Sequence, residues 1–158
     1  MTLLLRSLLL TLALVLGGCA NVAQVGPGEA VVADRLVVRA DSAWNHVTAV
    51  GGSNVVWTRD GLPLDVLRFW VGVADGQPLA PAAKDQRPLT FRAAMEPQEI
   101  VALFQGALSR DGSTFTLDRL EPAPFLGGQG FRFEYTLLRK SDEVRLAGIG
   151  WGAVRGGQ

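Results

Sequence analysis

Cysteine and histidine are the scarcest reactive residues of this sequence, which has one of each in 158 residues. A lone cysteine excludes an intramolecular disulfide and a thiolate metal cluster, because both need a second cysteine in the chain. The lone histidine, His46, restricts acid–base catalysis, because a catalytic histidine needs a nucleophile and an orienting group beside it. The folded state must therefore be stabilised by its apolar core rather than by cross-links.

Neither sign of charge is in excess, since 15 basic residues balance 15 acidic residues. A neutral chain has no global field that would recruit nucleic acid, so we expect no nucleic-acid partner. The composition, 48% apolar and 19% charged, is typical of a folded globule with an apolar leader and not of a disordered chain. No internal repeat or charge block follows residue 30, which indicates a single domain.

The first part of the chain has the pattern of a signal peptide. Arg6 supplies the positive charge, and a leucine-rich apolar run follows it over residues 8–16. This run is too short to span a bilayer core of roughly 30 Å stably. It ends in Leu16-Gly17-Gly18-Cys19, an apolar residue and two small residues followed by the cysteine.

That tetrapeptide resembles the lipobox of bacterial lipoproteins. The resemblance implies cleavage between Gly18 and Cys19, and a mature chain that carries diacylglycerol and an N-acyl lipid such as palmitate on Cys19. Several acyl chains anchor a protein stably, because each buried CH₂ contributes about 0.8 kcal/mol. In such families a residue other than Asp after the cysteine, here Ala20, favours the periplasmic face of the outer membrane over the inner membrane.

We predict three segments: a lipoprotein signal peptide over residues 1–18, an acylated tether over residues 19–29, and one domain over residues 30–158. The tether has no apolar periodicity and contains Gly26, Pro27 and Gly28, which are typical of an irregular segment.

The domain is predicted to be α+β, with an antiparallel sheet and one main amphipathic helix packed on it. The helix begins at Pro97, with Glu96 or a neighbouring residue as cap, and ends before Gly112. Its apolar stripe consists of Ile100, Leu103, Phe104, Ala107 and Leu108. Strands are predicted from valine-rich or alternating runs over residues 30–39, 53–58, 64–73, 115–120, 131–137 and 144–154.

This order of elements, with a helix that opens Pro-Gln-Glu and the run Gly130-Phe131-Arg132-Phe133-Glu134-Tyr135-Thr136, resembles that of uncharacterised proteobacterial lipoproteins. It is distantly similar to the PsbP-like α/β sandwich of a photosystem accessory subunit. PsbP-like domains close with another strand and a C-terminal helix, and we expect this domain to lack both. The resemblance brings no catalytic residue with it.

No motif of catalysis or metal binding is found along the chain, and no serine lies in a G-x-S-x-G elbow. We interpret His46 as a surface or half-buried residue beside Trp44, and Asp60 and Asp75 as turn residues. Gly148, Gly150 and Gly152 recur at every second position of a strand, which predicts a strip where another part of the protein packs closely.

Four tryptophans are the most informative residues of the domain. Core packing is the usual role of tryptophan. Trp70, however, shares a face of its predicted strand with Arg68, opposite the face of Leu67 and Phe69. Trp57 lies in a neighbouring predicted strand. Trp57, Arg68 and Trp70 are therefore predicted to form an exposed surface that binds an envelope protein, peptide or glycan.

The sequence favours a non-enzymatic accessory or binding module of the cell envelope, anchored to the membrane by lipid and without a cofactor. One alternative is an envelope hydrolase that uses carboxylates and His46, which requires His46 within hydrogen-bond reach of an Asp or Ser. Another is a carrier of a small apolar ligand. The carrier hypothesis predicts a cavity of roughly 300 Å³ or more beneath Ile100, Phe104 and Phe133.

Replacement of Cys19 by serine tests the anchor, because serine has no thiol to receive the lipid. We expect the wild-type chain to incorporate a palmitate analogue and to fractionate with membranes, and Cys19→Ser to do neither. A wild-type chain that stays unlabelled and soluble would contradict the lipoprotein hypothesis. Affinity capture of the acylated chain from envelope extracts, with Cys19→Ser as control, then identifies its partner.

Overall fold

The computed structural model describes residues 22–48, 54–80, 82 and 87–158. Strands dominate this part of the chain, and one helix lies between the sixth and seventh strands. The elements are β1 (Val22–Val25), β2 (Gly28–Val32), β3 (Leu36–Ala40), β4 (Trp44–Val47), β5 (Asn54–Thr58), β6 (Leu67–Trp70), α1 (Pro97–Leu108), β7 (Thr114–Phe125), β8 (Gly128–Leu138) and β9 (Arg145–Gly152).

The strands form three antiparallel sheets, in the orders β1-β4-β5-β6, β2-β3 and β7-β8-β9. Each sheet is built from neighbours in sequence except where β1 pairs with β4, and the hairpin β2-β3 lies between those two strands in the chain. The predicted α+β class is therefore confirmed, with one helix and three antiparallel sheets in the described residues.

Two sequence predictions near the N-terminus need correction. Val22–Val25, inside the predicted tether, forms β1 and pairs with Trp44–Val47. Three of its four residues are exposed. The strand therefore does not need alternating apolar and polar residues, and the sequence shows no such pattern. The run 30–39, which was predicted to contain a strand, contains parts of two strands, which form the hairpin β2-β3. Its turn places Ala33 and Asp34 at φ of 50° and 56°. Alanine rarely adopts this left-handed region, whereas aspartate adopts it more often than most residues.

The helix is confirmed and ends close to its predicted boundary. Pro97 takes the first helical position, and the Glu96 amide donates a hydrogen bond of 2.8 Å to the Glu99 carboxylate. This capping box satisfies a backbone donor that the helix leaves without a partner. The helix buries Ile100 and Val101.

Strand β7 contains a β-bulge between Leu117 and Arg119. The bulge adds one residue, Asp118, and so reverses the alternation of the strand. Phe115 lies opposite Leu137 before the bulge, and Leu120 lies opposite Phe133 after it. Phe115 and Leu120 are five positions apart, so in a regular strand they would point to opposite faces. Because of the bulge, both side chains face the helix.

The glycines of β9 lie directly under aromatic rings of β8. Gly150 pairs with Phe133, and Gly148 and Gly152 pair with Tyr135 and Phe131. A Cβ atom on Gly150 would lie 2.3 Å from the Phe133 ring, and the other two glycines are as tightly covered. The strip predicted from the sequence is therefore present, and the close neighbour is the adjacent strand rather than the helix.

The main core lies between α1 and this sheet. It contains Phe115, Phe131 and Phe133 from the sheet, Ile100 and Val101 from the helix, and Val73, Leu79 and Phe91 from the segment before the helix. The opposite face of the sheet carries charged pairs, in which Arg132 contacts Glu121 at 3.1 Å and Glu134 at 2.6 Å. One face of this sheet therefore packs on the core and the other face is polar, as is common for antiparallel sheets.

Substitution of alanine for Gly150 tests the packing of rings on the glycine strip. The added methyl group has no space beneath Phe133, so we expect Gly150→Ala to lower the free energy of unfolding by about 1–3 kcal/mol. Denaturant unfolding followed by circular dichroism measures the change. Gly26→Ala is the matched control, since no atom lies within 4 Å of its added Cβ. Equal midpoints for the two variants would contradict this account.

Candidate functional site

A large groove lies between β6, α1 and the β7-β8-β9 sheet. Its volume is about 1290 Å³, and it is open to solvent rather than enclosed. Ile100 and Phe104 of the helix and Phe133 of the sheet line it. The carrier hypothesis places a cavity beneath these three residues. They are among the residues that line this open groove, and Ile100 and Phe133 are themselves only 8% and 4% exposed.

Aromatic side chains form one wall of the groove. The Trp70 ring meets Phe104 edge-on at 4.7 Å between centroids, and Phe104 lies 5.8 Å from Phe133. Phe133 in turn stacks on Tyr135 at 5.9 Å. The Trp70 indole N–H donates to the Leu79 carbonyl at 3.1 Å, which fixes the orientation of the first ring. This wall is apolar and held in place by ring contacts from three elements.

Arg68 brings positive charge to the lining of the groove. It lies in β6 opposite Val56, and its side chain is exposed at the groove surface. The apolar surroundings still remove water from the guanidinium and lower its pKa, although arginine stays charged. Tyr135 lies on the β8 side of the groove, where burial raises the pKa of its phenol and the charge of Arg68 offsets part of that rise.

Further arginines line the groove. Arg35 donates to the Gln158 side chain, and Arg155 donates to the Phe125 carbonyl at 3.0 Å. Arg139 donates to the Pro63 carbonyl at 2.9 Å and also forms an ion pair with Asp142. All three arginines line the groove together with Arg68. The lining therefore combines apolar walls with guanidinium groups along its length.

The carboxylates in the groove lining, Asp65 and Asp111, have structural roles. Burial acts to raise the pKa of Asp65, but hydrogen bonds from the Thr58 hydroxyl at 2.7 Å and from backbone amides outweigh it and lower the pKa. The Ser113 amide donates to Asp111 at 2.9 Å and lowers the pKa of that carboxyl too. A general acid needs a raised pKa, so neither group is suited to that role.

The predicted binding surface of Trp57, Arg68 and Trp70 does not form as expected. Trp57 pairs with Leu67 and is only 3% exposed, because it packs edge-on against Phe69 at 4.9 Å. Trp57 lies on the same face of the sheet as its partner Leu67. Successive side chains of β6 point to opposite faces, and Trp70 is three residues after Leu67, so Trp57 and Trp70 lie on opposite faces of the sheet. Arg68 and Trp70 do share a face, and both line the groove.

His46 lies in β4 opposite Ala23 and Trp57, neither of which can act as an acid or a base. It is half-buried, in agreement with the structural role expected for it. Within the described ranges there is no group of three or more His, Cys, Asp or Glu residues that could hold a metal ion.

Gly18, Cys19 and Ala20 lie outside the described residues, so the predicted cleavage and lipidation sites stay predictions. In the part of the chain that the structure describes, no helix combines the length and apolar character that crossing a membrane requires. Comparison with models of protein families, with curated proteins and with solved structures finds no match to this chain.

Sequence reasoning identified Arg68, Trp70 and the apolar helix stripe, but it missed Arg35, Arg139 and Arg155. These arginines are distant in sequence and reach the groove only through the tertiary fold. One signal was available: Arg155 follows a strand end, and Arg139 follows another. Polar residues at strand ends are common in ligand sites, but here they do not identify their target.

The lowered pKa of Asp65 makes stability depend on pH. Because the folded-state pKa lies below the unfolded value of 3.8, its contribution is complete above that pH and is lost as the pH falls through the folded pKa. We expect Asp65→Asn to reduce the free energy of unfolding by about 1 kcal/mol at neutral pH, and the difference from wild type to shrink below pH 4. Urea unfolding between pH 2 and 7 measures both.

Asp60→Asn is the control for this experiment. It removes a carboxylate from the same turn, but the Thr58 hydroxyl donates to Asp65 and not to Asp60. A difference between wild type and Asp65→Asn that stays constant from pH 2 to pH 7 would contradict the proposed role of the Asp65 charge.

Proposed function

We propose that this chain is a lipid-anchored, non-enzymatic binding module of the bacterial cell envelope, and that the groove is its binding element. The observation that carries the proposal is the groove itself, with a volume of about 1290 Å³ and apolar lining residues from α1, β6 and β8. Ligand pockets for drug-sized molecules have volumes of roughly 300–1,000 Å³, so this groove suits a longer ligand.

Two features favour binding over hydrolysis. The carboxylates of the groove serve as hydrogen-bond acceptors for the backbone, and hydrogen bonds lower their pKa values. The groove is also open to water, whereas catalytic sites gain electrostatic strength from the exclusion of water. A carrier of an apolar ligand is the second candidate, because the apolar wall beneath Ile100, Phe104 and Phe133 fits an acyl chain.

The proposed anchor places the groove close to a membrane surface, at the periplasmic face of the outer membrane if Ala20 directs the chain there. β1 begins at Val22, so residues 19–21 separate the lipid from the first strand. Three extended residues span at most roughly 10 Å. This tether is shorter than the predicted segment 19–29, and it limits partners to molecules at or near the lipid surface.

We propose further that the domain is a variant of the PsbP-like sandwich. The order of strands, helix and long hairpin supports this assignment, as does the packing of α1 on the final sheet.

A bulky residue in the groove should block binding. Ala107 lines the groove from α1, so we expect Ala107→Trp to weaken binding of 1-anilinonaphthalene-8-sulfonate about tenfold, or about 1.4 kcal/mol. Dye fluorescence with acylated protein in lipid nanodiscs measures the affinity, and empty nanodiscs give the background.

Ala102→Trp is the matched control, because Ala102 is exposed on the same helix and does not line the groove. Equal affinity of wild type, Ala107→Trp and Ala102→Trp would show that the dye binds elsewhere and that the groove is not the binding element.

A further inference from the structure

Two strands border the groove with their edges rather than with one face. Among the described residues, β6 pairs only with β5 and β9 pairs only with β8. Side chains alternate between the faces of a sheet, so a groove over one face is lined by every second residue. β8 contributes to the lining in this way, through Phe131, Phe133, Tyr135 and Leu137.

β6 and β9 contribute differently. Every residue over 62–73 and over 146–155 lines the groove. Only residues 67–70 of the first run belong to β6, whereas residues 146–152 of the second run belong to β9. Consecutive strand residues reach a groove through their backbone where the groove follows the edge of the strand. The backbone amide and carbonyl groups of those edges therefore border the groove, where they need hydrogen-bond partners from water or from another strand.

The two edges of the β7-β8-β9 sheet are not equivalent. Pro122 and Pro124 lie in β7, opposite Phe131 and Gln129 of β8. Proline has no amide hydrogen, and in an edge strand its nitrogen faces away from the sheet. The β7 edge is therefore blocked for strand pairing over this stretch. β9, by contrast, contains neither proline nor lysine and keeps its amide donors.

The side chains of β9 leave room for a strand beside it. On one face of β9, rings from β8 cover the three glycines, so no further chain can pack on that face. The edge of β9 that faces away from β8 is open. On the outer face Ile149 is 54% exposed and Trp151 is 49% exposed. A neighbouring strand would cover these two side chains through cross-strand contacts.

We propose that the groove takes an extended peptide segment of a partner protein, which pairs with the free edge of β9 and carries apolar and acidic residues. Main-chain hydrogen bonds would supply affinity, and alternate side chains would contact the apolar wall. Charge complementarity supports acidic residues, since the side chains of Arg35, Arg68 and Arg155 line the groove. An acyl chain has no groups that could satisfy the strand edge.

This inference rests on the proposed function, in which the groove is the binding element. A peptide with a modified backbone distinguishes binding in the groove from strand pairing with β9. The probe is a fluorescein-labelled ten-residue peptide that alternates valine and threonine and has one central glutamate. Two analogues carry N-methyl groups at the odd or at the even positions. A strand pairs with one neighbour through alternate residues, so N-methylation blocks pairing in only one of the two sets.

We expect the parent peptide to bind acylated protein in nanodiscs, measured by fluorescence anisotropy. One N-methyl analogue should lose at least tenfold in affinity, and the other should bind like the parent. Replacement of the glutamate by lysine should weaken binding severalfold. Hydrogen exchange followed by mass spectrometry should show new protection in the segment that contains β9, and none in β7.

Three results would overturn the proposal. Equal binding of both N-methyl analogues would mean that only side chains are recognised. Binding of 1-anilinonaphthalene-8-sulfonate without binding of the peptide would leave the groove as a site for apolar ligands and would exclude strand pairing. Protection of β9 without peptide, with a dimer in sedimentation, would identify a second copy of the chain as the occupant.

Discussion

The rings of Phe131, Phe133 and Tyr135 lie over three glycines of β9, and the space between them is too small for a Cβ atom. This contact lets the three rings lie close to the sheet, on the face that packs against α1. The row in turn determines where α1 packs, since Phe104 of the helix contacts Phe133. Trp70 then contacts Phe104 and connects the sheet that contains β6 to the same core. The groove is the space that remains beside this line of rings, so its apolar wall depends on the glycines.

The face of the β7-β8-β9 sheet that packs on the core differs from the two edges of that sheet. The face is filled by rings, while the β9 edge stays open and the β7 edge carries two prolines. A strand edge with free donors is a site for pairing with another chain, and natural proteins usually protect such edges. Protection of one edge and not of the other is what a docking strand requires. In the proposed complex the arginines that line the groove would favour acidic residues of the peptide, although the whole chain has no excess of charge.

Anchoring and binding fit together physically if both proposals hold. A tether of residues 19–21 would keep the groove near the lipid surface, which raises the effective concentration of membrane-associated partners. Affinity for each partner could then be modest, because the tether has already restricted the search to the membrane. The half-buried His46 and the hydrogen-bonded Asp65 contribute to the strands and turns that hold β6 in place.

The sequence by itself determined the helix that begins at Pro97, the hairpin around Phe133 and the glycine strip, because local periodicity and capping encode each of them. It also predicts the lipid on Cys19, since a lipobox is a local motif. It failed at β1 and at the β2-β3 turn, where exposed residues and an unusual turn leave no periodic signal. Only the tertiary structure decided that Trp57 is buried and that β6 and β9 border one groove. Those facts depend on strand register and on contacts between residues far apart in sequence, which no local pattern specifies.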